Sequence, residues 1–156
     1  VNADWVPQTM QVDAEQEADG LVVLKQSAFM KHELERNFFT SNHTVDSYQS
    51  DRERFLGSNG YGTWKAPQEL QNEHLSNAEA RRGNVIAALL HRCETLQPGQ
   101  TSRIITLLGQ DKADRIKETV ERYRDPAQVN AAFAALRSYW DDYLSKMQCD
   151  TPDPAF

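Results

Sequence analysis

The stretch "QSDRERFLGSNGYG", residues 49–62, concentrates the groups most able to do chemistry: two acids, two arginines and a glycine-rich run. Arg52 and Arg54 have the planar donor fork that holds a carboxylate or phosphate through paired hydrogen bonds. Tyr61 and Trp64, just beyond, are rings of the kind that stack on a sugar or pack against a neighbouring domain. These four, Arg52, Arg54, Tyr61 and Trp64, are the candidate substrate-proximal residues. The same stretch also has a plain structural reading. Ser50 and Glu53 have capping-box spacing, Asp51 suits the positive end of a helix, and Gly57 suits its stop. Phe55 and Leu56 would anchor such a turn to the core. "SNGYG" lacks the Lys-Ser/Thr and following helix of a phosphate-binding loop. The capping signature favours a structural turn over direct ligand binding.

Other reactive side chains do not assemble by spacing. His32, His43, His74 and His91 show no ligand pattern, and Cys93 and Cys149 form neither a disulfide framework nor a metal motif. They read as two free thiols. His91 and Cys93, two apart in an expected strand, share a face, but no second ligand pair accompanies them. No nucleophile motif and no isolated carboxylate pair stands out, so no catalytic residue is assigned.

Positioning elements follow from the apolar pattern. The chain has 156 residues, 39% of them hydrophobic and 26% charged, enough for one globular core. Its net charge of −6 argues against general nucleic-acid or anionic-membrane binding, and no apolar run has the length of a membrane span. "LVVLKQSAF" after Asp19-Gly20 and "NFFTSNHTV" read as a hairpin within residues 21–45, with "KHELER" the helical alternative. Residues 84–96 and 101–109 flank "QPGQ", whose Pro98-Gly99 fits a type II turn. Two apolar runs so joined predict an antiparallel hairpin, and the continuous run 85–90 predicts a strand covered on both faces. A long loop, 57–83, separates these strands.

After Gly109 the pattern becomes helical. Ala113, Ile116 and Val120 form a modest stripe. Asp125, Pro126 and Gln128 then mark a helix start, from which Val129, Phe133, Leu136, Trp140, Tyr143 and Met147 recur at three- and four-residue steps. The fold class expected is mainly β with C-terminal helices, part of an antiparallel β-sandwich followed by a two-helix linker. The start at Val1 without methionine and the "DTPDPAF" end lead us to expect a segment of a larger polypeptide.

Three stretches together resemble the inverting glycoside phosphorylases of the cellobiose, cellodextrin and chitobiose phosphorylase family, glycoside hydrolase family 94. They are "SDRERFLG" after "FFTSN", "LQPGQTSRIITLLG", and "YRDPAQVNAAFAALRSYWDDYLSKMQCDTPDPAF". Cys149 stands where the family pattern has Val, leaving "TPD" intact. The resemblance implies that residues 1–109 close the N-terminal β-sandwich and 110–149 are a helical linker. Residues 150–156 would begin an (α/α)6 barrel. It implies a parent that phosphorolyses β-glucosidic bonds of the cellobiose or cellodextrin type to an α-sugar 1-phosphate with inversion. Inorganic phosphate is then a co-substrate, and there is no cofactor or metal. The catalytic aspartate and phosphate-binding residues belong to the barrel and have no counterpart here. The partners implied are that barrel, a second copy in a homodimer, and a β-glucan oligosaccharide, in the cytoplasm. From other classes, a stand-alone carbohydrate-binding β module and a helix-mediated protein interaction domain also fit the residues.

Overall fold

The computed structural model describes residues 10–28, 34–57, 64–81, 83–148 and 152. Among these described residues six strands and three helices follow in order: β1 (Met10–Gln16), β2 (Val22–Ala28), β3 (Glu35–Ser41), β4 (Ser47–Asp51), α1 (Arg52–Leu56), β5 (Val85–Leu90), β6 (Thr106–Lys112), α2 (Ile116–Tyr123) and α3 (Pro126–Ser145). A 3-10 turn, Gln68–Gln71, lies between α1 and β5. The strands form an antiparallel four-stranded sheet, β1-β2-β3-β6, and a two-stranded sheet, β4-β5. The class is the expected one: antiparallel sheets with helices at the C-terminal end.

β2 shows why "LVVL" is uninterrupted. Successive strand side chains point to opposite faces. Val22 and Leu24 meet Val12, Val45, Val85 and Leu89 between the sheets, while Leu21 and Val23 meet Phe38, Ile116 and Val120 beneath α2. Both faces are buried, so both must be apolar. β5 is apolar on both faces but only partly covered: Ile86, Ala88 and Leu90 turn onto Phe55, Leu56 and Leu75, Val85 and Leu89 face the large sheet, and Ala87 between them is exposed. The layers therefore run α2, large sheet, small sheet, α1 with its following segment.

The β1–β2 turn needs glycine. Gly20 has φ +80, and a Cβ there would sit 2.7 Å from Thr44 Cγ2. β2 and β3 pair antiparallel, with Leu24 opposite Phe39, as the hairpin expected within 21–45. The second expected hairpin is not formed. Its turn exists, with Gly99 at φ +85 and Gln100 N–H donating to Gln97 O at 2.9 Å. Yet β5 pairs with β4 and β6 pairs with β3, from Glu35–Lys112 to Ser41–Thr106. The strands lie in different sheets, joined by residues 91–105. β6 also continues past Gly109, whose bare Cα accepts the Phe38 ring; a Cβ would lie 2.8 Å from Phe38 Cζ. Ala113 thus precedes the helix, and Ile116 and Val120 alone carry α2's buried stripe.

Polar contacts set α2 in place. Arg124 Nη2 lies 2.6 Å from Asp19 Oδ2 in the β1–β2 turn, and Thr119 Oγ1 donates to Asp111 Oδ2 at 3.0 Å. The hydrogen bond from Arg124 holds the Asp19 carboxyl below its usual value. α3 starts as expected: Asp125 Oδ1 accepts from Ala127 N–H at 2.9 Å, with Pro126 in the first turn. No residue of α3 is buried. Tyr139, Trp140 and Tyr143 instead pack their rings on each other, with centroids 5.5–6.3 Å apart.

Residues 77–81 lace the sheets together along one side. Asn77 N–H donates to Tyr48 O, Ser50 N–H donates to Ala78 O, and Val12 N–H donates to Ala80 O. Asn77 takes positive φ, 52°, where its side-chain Oδ1 accepts from Tyr48 N–H. Ser50, fully buried, bridges the lace with its hydroxyl, accepting from Ala80 N–H at 2.7 Å and donating to Ala78 O at 3.1 Å. Ser50→Ala leaves that buried amide unpaired and should lower stability by about 1–3 kcal/mol. Urea denaturation measures the loss, and an unchanged midpoint would show that the hydroxyl contributes nothing.

Candidate functional site

α1 is one short turn of helix, and its start differs from expectation by one residue. Asp51, not Ser50, is the cap: its Oδ1 accepts from Glu53 N–H at 2.9 Å and Arg54 N–H at 3.2 Å. Ser50 is unavailable because its hydroxyl serves the lace. Gly57 ends the turn at φ +110, donating its N–H to Glu53 O, and a Cβ there would meet Gln68 Oε1 at 2.5 Å. Phe55 and Leu56 are buried, as their anchoring role requires.

Residues two apart on a helix do not face each other, and the two arginines diverge accordingly. Arg52 Cζ lies 5.9 Å from the Trp64 ring centroid, the geometry of a cation–π contact. Phe55 touches the same ring, centroids 6.1 Å apart. Trp64 nevertheless keeps 58% of its surface exposed. Arg54 lines a polar cleft of about 580 Å³ with Asp51, Glu53, Gln68, Asn72 and Ser76. The structure thus joins Arg52 to Trp64 and sets Arg54 apart; Tyr61 lies outside the described residues.

At the cleft's base, Gln49 and Glu69 are buried polar residues that no periodicity marks. Gln49 Nε2 donates to Glu69 Oε1 at 2.9 Å and to Ser76 Oγ at 2.7 Å, while its Oε1 accepts from Asp51 N–H at 2.8 Å. Glu69 Oε2 also accepts from Ser76 N–H. Buried polar groups must be paired, and this network pairs them. The Glu69 carboxylate is consumed by structure rather than poised for proton transfer.

A second polar cluster has a more catalytic look. His74 Nδ1 lies 2.7 Å from Asp46 Oδ2, an acid–imidazole pair of the kind that orients a general base. Arg92 Nη2 lies 3.1 Å from its other nitrogen, Nε2, and 3.5 Å from Nδ1, so the guanidinium sits over the ring rather than in line with the Nε2 lone pair. Arg92 further contacts Asp46 Oδ1 at 2.8 Å and Glu73 Oε1 at 3.1 Å. Desolvation pushes the Asp46 pKa up, but hydrogen bonds from His74 and Arg92 outweigh it and hold the group low. The cluster clamps three chain segments.

The paired His91 and Cys93 are not on a strand, because β5 ends at Leu90. His91 Nδ1 is 2.9 Å from Thr44 O, and Cys93 is an exposed free thiol. Cys149 lies outside the described residues. Among the described residues no three His, Cys, Asp or Glu side chains form a metal-ligating group, and no helix is long and apolar enough to cross a membrane.

Two antiparallel sheets laced along one edge, a docked helix, a long amphipathic helix and polar groups committed to structural pairing define a β-sandwich scaffold. Residues 1–126 match the family described as glycosyl hydrolase 94, supersandwich domain. The chain belongs to this glycosyl hydrolase 94 supersandwich family. It is 34% identical over 118 residues to an N,N'-diacetylchitobiose phosphorylase of Vibrio proteolyticus and 34% over 116 residues to one of Vibrio furnissii. Each match covers 74% of this chain and 14% of the relative. A cyclic beta-(1,2)-glucan synthase, NdvB, of Rhizobium meliloti (strain 1021) is 28% identical over 120 residues, 76% of this chain and 4% of that protein. The chain therefore spans about one seventh of the length of the phosphorylases it matches.

The Asp46 clamp has a defined pH response. A carboxyl whose folded pKa lies below the unfolded 3.8 adds stability above that value and loses it as pH falls through the folded one. Arg92→Ala should therefore destabilise the protein at neutral pH and narrow its gap to wild type in acid below that window. Thermal midpoints across pH test this, and a gap independent of pH would refute the clamp.

Proposed function

We propose that this chain is the non-catalytic β-sandwich and linker segment of a glycoside phosphorylase. In that reaction a phosphate oxygen attacks the anomeric carbon of a β-glycosidic bond. The bond to the leaving sugar breaks as a carboxylic acid protonates its oxygen, and an α-sugar 1-phosphate departs with inverted configuration. The acid and the phosphate site belong to a barrel outside these residues. What carries the reading is the 34% identity to two N,N'-diacetylchitobiose phosphorylases across the sandwich. For the same reason a disaccharide of that kind ranks ahead of the cellobiose or cellodextrin type. The reading entails a docked (α/α)6 barrel, a homodimer and a cytoplasmic enzyme, with the exposed ring row of α3 as packing surface for a neighbour.

Arg52, Arg54 and Trp64 enter as contacts at the rim of a sugar site rather than as reacting groups. The half-exposed Trp64 ring, polarised by Arg52, is the observation that favours this role. It would serve equally in a stand-alone carbohydrate-binding module.

The test is phosphorolysis by the full-length protein, followed by phosphorus NMR with N,N'-diacetylchitobiose and with cellobiose. An α-sugar 1-phosphate should form from the first at least roughly tenfold faster, about 1.4 kcal/mol in transition-state terms. No sugar phosphate from either would overturn the phosphorylase reading. Trp64→Ala should raise KM severalfold while kcat holds, and an unchanged KM would remove the ring from the sugar's path.

A further inference from the structure

No further inference is drawn: the strongest candidate, the polar cleft between α1 and the 3-10 turn, belongs to the site already described, and nothing in the structure shows what ligand it takes.

Discussion

The hydroxyl of Ser50 holds together what the two sheets cannot hold alone. A β-strand edge must satisfy its N–H and C=O groups or present them to water, and residues 77–81 meet that demand for β4 and β1 at once. Ser50 completes the arrangement from inside, one oxygen serving both Ala78 and Ala80. Once this side is closed, β2 lies between two apolar layers and α2 gains a continuous surface on which Ile116 and Val120 are buried. The Gln49–Glu69–Ser76 network extends the same constraint outward, fixing the segment that follows α1.

That commitment of polar groups to architecture shapes what the domain can do. Several groupings that look reactive in isolation are tied into structural contacts. Glu69 is held by Ser76 and Gln49, and His74 is held at Nδ1 by Asp46 under the Arg92 guanidinium. Asp51 is turned into its helix terminus. Apolar surface, by contrast, is left exposed at Leu108 and along the ring row of α3. Exposed apolar surface of this kind is where protein can pack, as the proposed scaffold role requires.

Features encoded within a few residues were legible in the sequence. The Asp125-Pro126 start of α3, the Gly20 and Gly99 turns and the strand at 85–90 all follow from local chemistry, although that strand is only half-buried. Choice of partner was not legible in this way. Pro98-Gly99 makes its turn, yet the strands on either side belong to different sheets, because pairing is settled by cross-strand packing over long separations. Phe38 claims the space above Gly109 and so brings β6 to β3. Ser50 had the spacing of a cap, but its hydroxyl is claimed by Ala80, thirty positions away. Of the candidate site, Arg52 and Trp64 do meet while Arg54 does not, a difference set by the pitch of α1 and hidden from residue type.

The pairing of β6 with β3 has a further consequence for how the chain reaches this shape. Asn42 and Ile105, at the mouth of that pair, are joined by a side-chain hydrogen bond across 63 positions. Everything that builds the small sheet lies in the intervening loop. Closing so long a loop carries an entropic penalty that no local contact offsets, and folds dominated by such closures fold slowly. The β1–β2–β3 meander can form early from near neighbours, whereas β6 and its dependent α2 wait for the small sheet to shorten the path. Until then Phe38 and Val23 lack their cover. The exposure of this face is thus a matter of time as well as of architecture.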